Sequence, residues 1–426
     1  MNVCVIGAGY VGLTTSTVLA NFGHKVICVE QLEEKVNMLS QGEVPIYEPG
    51  LEDMLKENVR KGTLEFTTNL SEAVKRSSVI FIAVGTPQDK DGKTDLRFFH
   101  EVSNDLSPLI DTHKVIITKS TVPIGTNEEL NQTFLKNGVS ESLFDVVSNP
   151  EFLREGTAIH DMLYPDKIVV GLKNHQAVKV LQKLYHFIDA PYVITNLSGA
   201  EMIKYASNAF LAVKISFINE LAQLADVCGV DITEVALGIG MDPRIGHHFL
   251  QAGLGYGGSC LPKDLSSLEH QSITRNVTPH MLQAAQSVND SIIAYYMKKI
   301  KKEFPDFQKK NITIWGATFK PNTDDMRHSQ ALKLVDQFVN EGCHVHLYDP
   351  VVSPKLNHVT NYKDMYESIR EADMVIIATE WKQFIEADWK VVRERMRGNT
   401  IVDCRNALQP YKIRSHGLRY VGVARP

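Results

Sequence analysis

Asn2-Val3-Cys4-Val5-Ile6-Gly7-Ala8-Gly9-Tyr10-Val11-Gly12 is the stretch whose reading decides the fold. A short apolar run, read as a strand over 2–6, enters three glycines spaced G-x-G-x-x-G. A helix-like segment follows over 13–22, then a second strand over 25–29 that ends at Glu30. Strand, glycine turn, helix, strand and acid is the order a dinucleotide site needs. Gly7, Gly9 and Gly12 allow the turn and bring backbone N–H groups to a pyrophosphate, while the helix N-terminus supplies positive potential. Glu30 would accept hydrogen bonds from the adenosine ribose and repel a 2′-phosphate, and Gln31-Leu32 offers no arginine to receive one. That favours NAD over NADP. The competing reading is an ordinary strand-to-helix turn.

Alternation continues downstream. Residues 79–84 form an apolar strand ending in Gly85-Thr86-Pro87, and 115–118 another ending in Lys119-Ser120-Thr121-Val122-Pro123. Ligands of open α/β sheets bind at the carboxyl ends of strands, which places Thr86 and Thr121 to touch cofactor. Equally, each threonine suits a turn or a helix N-cap. A strand over 145–148 leads into Asn149-Pro150-Glu151-Phe152-Leu153-Arg154-Glu155-Gly156, whose glutamates are either general acid/base groups or part of a solvated turn. Strands over 168–171 and 192–195 close an α/β domain near residue 198.

The segment 198–227 has no proline, and its apolar residues recur at helical spacing, so a long helix is expected. Lys204 and Asn208 stand four apart and share a face. They could form a donor pair for a developing oxyanion, or be an exposed lysine beside a satisfied asparagine. So long and apolar a helix suggests a domain connector that also packs against another subunit. The region 231–300 stays mostly helical, interrupted around Arg244 and by Gly255-Tyr256-Gly257-Gly258-Ser259-Cys260-Leu261-Pro262-Lys263-Asp264. There a cysteine follows closely spaced glycines, as a nucleophile in a tight turn would; the alternative is a flexible loop with an incidental thiol. After a linker at 305–310, strands over 311–315, 344–348, 374–378 and 400–403 and a helix over 329–341 form a second doubly wound unit. It lacks a full G-x-G-x-x-G, so a nucleotide of another kind is the economical use for it.

Composition narrows the class. With 426 residues, 43% hydrophobic and 22% charged, the chain reads as a soluble protein of two or three domains. A net charge of -5 without a basic stripe speaks against nucleic acid. No run of ~20 apolar residues suggests a membrane span, and no signal peptide is expected at the first residues. The six cysteines (Cys4, Cys28, Cys228, Cys260, Cys343 and Cys404) show neither a CxxC pair nor zinc spacing. Free thiols in the cytoplasm and no metal are the expectation.

In this order, the motifs resemble the UDP-glucose/GDP-mannose dehydrogenase family over essentially the whole chain. The likeness is carried by Gly7 to Gly12, Ser120-Thr121-Val122-Pro123, the Asn149 to Gly156 run, and Lys204 with Asn208. It continues through Arg244-Ile245-Gly246, Phe249-Leu250, Gly257-Gly258-Ser259-Cys260 with Lys263-Asp264, Phe319-Lys320-Pro321 and Arg405. The resemblance implies two Rossmann-like domains joined by a long central helix and a helical middle region. The expected divisions are 1–198 for NAD, 199–304 for dimerisation and the cysteine loop, and 305–426 for the UDP-sugar.

The implied reaction is a four-electron oxidation of UDP-glucose at C6 to UDP-glucuronate, using two NAD and one water. UDP-N-acetylhexosamine and GDP-mannose are the alternative substrates. Cys260 would form a thiohemiacetal and then a thioester, Lys204 and Asn208 would stabilise the oxyanion, and Asp264 would position water. Glu155 would be the general acid/base, with Thr121 nearby. Gly7, Gly9, Tyr10, Val11, Gly12, Glu30, Lys35, Thr86, Thr121, Glu155, Lys263 and Arg327 carry over as cofactor contacts. Phe152, Leu153, Lys204, Asn208, Arg244, Phe249, Leu250, Tyr256, Gly257, Lys320 and Arg405 carry over as sugar-nucleotide contacts, Arg244 in a neighbouring subunit's site of a homodimer. Four positions depart from the family pattern: Tyr256 where phenylalanine is commoner, Cys404 for glycine, His328 for an acid, and Thr318 for a small residue. Outside this family, a two-electron hydroxyacid dehydrogenase would need no cysteine and no second nucleotide-like domain, and a catalytically dead nucleotide-sugar binder would need no intact polar site.

Overall fold

The computed structural model describes residues 1–89 and 91–426. The chain divides into two compact units, residues 1–207 with 266–277, and residues 208–265 with 278–426. The division falls inside the helix Leu197–Cys228, whose 32 residues span about 48 Å at 1.5 Å per residue.

The first unit is built on strands β1 (Asn2–Ile6), β2 (Lys25–Val29), β3 (Leu64–Thr67), β4 (Val79–Ile82), β5 (Lys114–Thr118), β6 (Phe144–Ser148), β7 (Ile168–Leu172) and β8 (Tyr192–Thr195). They lie in the order β3-β2-β1-β4-β5-β6-β7-β8, parallel except between β6 and β7. Successive side chains of β1 point to opposite faces. Val3 and Val5 join one buried cluster, and Cys4 and Ile6 another. Both faces are covered, as a parallel sheet requires. The β1 strand ends at the glycine turn, and the helix Tyr10–Asn21 begins inside the motif, three residues earlier than its apolar pattern suggests.

The second unit repeats the plan with β9 (Asn311–Trp315), β10 (His344–Tyr348), β11 (Val359–Asn361), β12 (Met374–Ile377), β13 (Thr400–Asp403) and β14 (Arg419–Gly422). Their order is β11-β10-β9-β12-β13-β14, and every pair is parallel. One face packs on Ile218 and Ala222 of the long helix and on Ile292, Tyr296 and Met297 of the helix His280–Glu303. The middle helices therefore share a core with the second sheet. The other face closes over Trp315, Phe384 and Trp389. Among the described residues, no helix is long and apolar enough to cross a membrane.

Candidate active site

In the first unit, Gly7 has φ +103°, and a Cβ there would lie 2.6 Å from Ala83 O. A Cβ on Gly12 would lie 1.8 Å from Gly7 O. Both glycines are thus required by the protein's own packing. Gly9 is different: a Cβ there would meet nothing within 4 Å. It caps the helix Tyr10–Asn21 with no side-chain hydrogen bond, so the first-turn N–H groups have no intrahelical partner and face an open side. That cradle fits a dinucleotide pyrophosphate.

Glu30 closes β2 and accepts hydrogen bonds from its own following amides, Gln31 N at 2.8 Å and Leu32 N at 3.3 Å. Lys35 Nζ sits 2.8 Å from the carboxylate. Burial alone would raise the Glu30 carboxyl, but Lys35 and these amides hold it below the ordinary carboxylate range. The carboxylate is therefore an ionised acceptor, as ribose hydroxyls require. Thr86 donates its hydroxyl to Thr121 O at 2.8 Å, which ties together the carboxyl ends of β4 and β5. The turn reading holds for Thr86, and neither threonine caps a helix, the following helices being capped at Leu96 and Gly125.

Lys204 is only 3% exposed, which removes the exposed-lysine reading. Its Nζ lies 3.2 Å from Glu151 Oε1 and 5.2 Å from the Phe152 ring centroid. Glu151, one of the two glutamates in the Asn149 to Gly156 run, is itself buried and accepts from Leu153 N at 2.5 Å. Glu155 is half-buried further along the same segment.

A second buried lysine, Lys119, donates to Asn149 Oδ1 at 3.2 Å. That oxygen also accepts from the Tyr185 hydroxyl at 2.7 Å. Burial pushes Lys119 down to about 8, with Glu151 working against the shift and Lys204 adding to it. Neither Lys119 nor the pairing of Glu151 with Lys204 was singled out in the sequence. The available signal was position, because a lysine directly after a buried strand stands at the sheet's carboxyl edge.

In the second unit, Asn208 donates from Nδ2 to Asp264 Oδ2 at 2.6 Å, and Lys263 Nζ lies 2.6 Å from Asp264 Oδ1. Asp264 is 2% exposed. It belongs to the first turn of the helix Leu261–Thr274, and its N–H bonds to Cys260 O at 2.9 Å. Cys260 therefore precedes the helix directly and is exposed, with Ser259 Oγ 3.5 Å from its sulfur. A helix N-terminus favours an anion at that place.

The loop glycines serve close packing. A Cβ on Gly255 would strike Asn289 Oδ1 at 2.2 Å, one on Gly257 would strike His328 O at 2.3 Å, and one on Gly258 would strike the Phe319 ring at 2.7 Å. Asn289 also brackets Tyr256, accepting from its N–H and donating to its carbonyl. The Tyr256 hydroxyl is buried and has no hydrogen-bond partner among the described residues.

The remaining sugar-nucleotide candidates are spread over several elements. Arg405 forms a two-pronged pair with Glu380 at 2.6 and 3.0 Å. Leu250 is buried in the core, next to Phe249 at φ +64°. Lys320 lies over the Phe319 ring, and Arg327, a cofactor candidate, pairs with Asp325. The Arg244 side chain is 88% exposed beside Asp242. Phe152 and Leu153 are half-buried in the first unit. Asp349, closing β10, accepts from Ala317 N at 2.8 Å and Thr318 N at 3.3 Å.

Comparison with known proteins matches three family models in order along the chain. They are the NAD binding domain of the UDP-glucose/GDP-mannose dehydrogenase family over residues 1–189, its central domain over 198–291 and its UDP binding domain over 313–410. A UDP-glucose 6-dehydrogenase of Rhizobium meliloti is 40% identical over 437 residues, covering 100% of each chain. The solved UDP-glucose dehydrogenase of Pyrobaculum islandicum superposes with a TM-score of 0.92 at 35% identity, covering 100% of this chain and 98% of its own. A UDP-D-ManNAc dehydrogenase from Pyrococcus horikoshii gives a TM-score of 0.89 at 28% identity, covering 100% and 99%. With a cofactor cradle at the first turn, a cysteine at a helix end and these end-to-end likenesses, the chain belongs to the UDP-glucose/GDP-mannose dehydrogenase family and is an NAD-dependent UDP-sugar dehydrogenase.

Proposed function

We propose that the chain oxidises UDP-glucose at C6 to UDP-glucuronate, through a covalent bond to Cys260. The observation that carries this reading is the exposed Cys260 at the start of a helix, whose first turn holds Asp264 buried between Asn208 and Lys263. NAD, when bound, would supply the hydride acceptor, one molecule for oxidation of the C6 alcohol and a second for oxidation of the sulfur adduct. Gly7, Gly9, Tyr10, Val11 and Gly12 hold its pyrophosphate, and Glu30 beside Lys35 holds the adenosine ribose. Thr86, Thr121, Lys263 and Arg327 complete the cofactor contacts.

The Cys260 thiolate adds to the C6 aldehyde and makes a thiohemiacetal, whose oxidised form is a thioester. Lys204 and Asn208 stabilise the oxyanion at each addition. Glu151 fixes the Lys204 ammonium, and Asp264, gripped on both oxygens, orients the attacking water. Water adds to the thioester carbon, the C–S bond breaks, and the sulfur leaves with a proton. Glu155, with Thr121, moves protons in these steps. Phe152, Leu153, Phe249, Leu250, Tyr256, Gly257, Lys320 and Arg405 shape the sugar-nucleotide site.

The test is NADH absorbance with each nucleotide sugar. Two NADH and one UDP-glucuronate per UDP-glucose are expected. Preferential turnover of a UDP-N-acetylhexosamine or GDP-mannose would replace the substrate, and full turnover by Cys260→Ser would remove the covalent route.

The same reading makes the protein a cytoplasmic homodimer. Phe210, Phe217 and Leu224 are 65%, 51% and 62% exposed at seven-residue spacing on the long helix. An apolar stripe of that size is covered by a partner more often than left to water. Arg244, extended beside it in sequence, would then reach the neighbour's site. A monomer by light scattering at micromolar concentration would remove this part of the proposal.

A further inference from the structure

Glu48 lies in the loop Ile46-Tyr47-Glu48-Pro49-Gly50, between the helices Glu33–Ser40 and Leu51–Arg60. It is 7% exposed, and a carboxylate at that depth must be compensated. Among the described residues its partners are hydrogen-bond donors rather than a cation. Ala158 N donates to Oε1 at 2.8 Å, Gly156 N donates to Oε2 at 2.6 Å, and the Tyr10 hydroxyl donates to the same Oε2. Gly156 N also reaches the Tyr10 oxygen at 3.0 Å.

These donors come from two segments that matter to the cofactor. Tyr10 is the first residue of the helix that opens the glycine turn. Gly156 follows Glu155 directly and has φ +82°, a conformation that glycine adopts at little cost. The Tyr10 phenol is raised far above its usual range by burial first and then by the Glu48 hydrogen bond and charge, so it stays a donor. One buried carboxylate thus joins the start of the glycine-turn helix to the backbone beside Glu155. It does so across 38 residues in one direction and 108 in the other.

We propose that Glu48 is a positioning residue for the cofactor. By holding Tyr10, Gly156 and Ala158 on one carboxylate, it fixes the Glu155 segment against the glycine turn. NAD affinity depends on this clamp, whereas affinity for UDP does not. The inference rests on the reading of Gly7 to Gly12 and Glu155 as cofactor residues, and it does not depend on which sugar is oxidised.

Glu48→Gln is the direct test, because glutamine has one acceptor oxygen and turns an N–H₂ group toward a donor. Calorimetry on the full chain with NAD and, separately, with UDP should show NAD binding weakened roughly 10- to 100-fold, the scale of hydrogen bonds to a buried charge, with UDP binding unchanged. Equal weakening of both, or neither, would overturn the proposal.

Should Glu48→Gln not fold, Tyr10→Phe leaves the carboxylate two of its donors. It should weaken NAD several-fold and speed hydrogen exchange locally at Gly156 and Ala158. Weaker NAD binding with unchanged exchange at those amides would overturn the clamp. Where both variants fold, the double variant should lose less than the two single losses combined, and strict additivity would also overturn it. Failure to turn over UDP-glucose would remove the substrate assignment and leave these binding outcomes intact.

Discussion

The two sheets leave their first strands in nearly the same way and then part. Gly7 and Gly316 have φ +103° and +102°. A Cβ on either would strike the end of the neighbouring strand, at 2.6 Å for Ala83 O and 2.5 Å for Thr379. After Gly7 the helix begins at once, at Tyr10, with no side-chain cap. After Gly316 the chain wanders to Gln330, and the helix there is capped by Ser329. The acids closing the second strands differ in the same sense. Both accept from their own downstream amides, Glu30 from Gln31 and Leu32 and Asp349 from Val351 and Val352. The other Glu30 oxygen goes to Lys35, whereas the other Asp349 oxygen turns back onto the amides of Ala317 and Thr318. One turn leaves its donors for an external anion, and the other satisfies them internally. A repeated backbone plan therefore does not carry a repeated ligand, and the residues after the glycine decide what the plan is used for.

Two substitutions break that comparison from opposite sides. Gly9→Ala puts a methyl group into the open side of the first turn, where it meets no protein atom. NAD binding should fall roughly 10- to 100-fold, the scale of a hydrogen bond to a charged group lost when the pyrophosphate is pushed off the turn. The melting temperature should hold within about 2 °C, since no protein contact is lost. A large stability loss would show that Gly9 is required by the fold rather than by the cofactor. Asp349→Ala should do the reverse: removing the acceptor strands buried donors and should cost about 2–3 kcal/mol of stability. NAD affinity by calorimetry should not change, and a matching fall in it would show that the second turn is not the self-satisfied one described here.

Buried charge sharpens the contrast further. Lys119 of the first unit is held at about 8 by burial, against 10.5 for an ordinary lysine. Its proton is bound less tightly in the native state than in the unfolded one. Stability is therefore reduced below about pH 8 and recovers as pH rises toward the unfolded value. Between pH 7 and pH 9.5 the wild type should gain about 2 kcal/mol relative to Lys119→Met in denaturant unfolding. The constant loss of the Asn149 hydrogen bond cancels in that slope. A flat difference across the window would mean that the ammonium is not desolvated as its surroundings imply.

The sheets were legible because their central strands are unbroken apolar runs, as buried parallel strands are. The strands missed were β3, β11 and β14. All three are edge strands. Leu-Glu-Phe-Thr and Val-Thr-Asn carry too little apolar sequence to stand out. The helix at Tyr10 was placed late because glycine is a poor helix former, yet Gly12 is its third residue. Within the site, Lys204 and Asn208 could be paired because helical spacing is local. Glu48, Lys119 and the partner of Lys204 could not. Glu151 lies 53 residues from Lys204, and Gly156 lies 108 from Glu48. Contacts across such separations are fixed by the strand order, which no periodicity announces.

The smallest effect concerns Tyr256, where the sequence departs from phenylalanine. Its ring is 5% exposed, and the hydroxyl has no partner among the described residues. An unpaired buried hydroxyl costs about 1 kcal/mol or more, so Tyr256→Phe should stabilise the free protein by about that amount. The gain should vanish in the presence of UDP-glucose if the sugar nucleotide supplies the missing acceptor, with KM rising and kcat nearly unchanged. A gain that persists with the substrate bound would mean that the hydroxyl never meets it. The distinction bears on the two units directly. Asp349 shows the second unit satisfying its own donors at the turn, and Tyr256 is a place in the same unit where a donor is left unpaired.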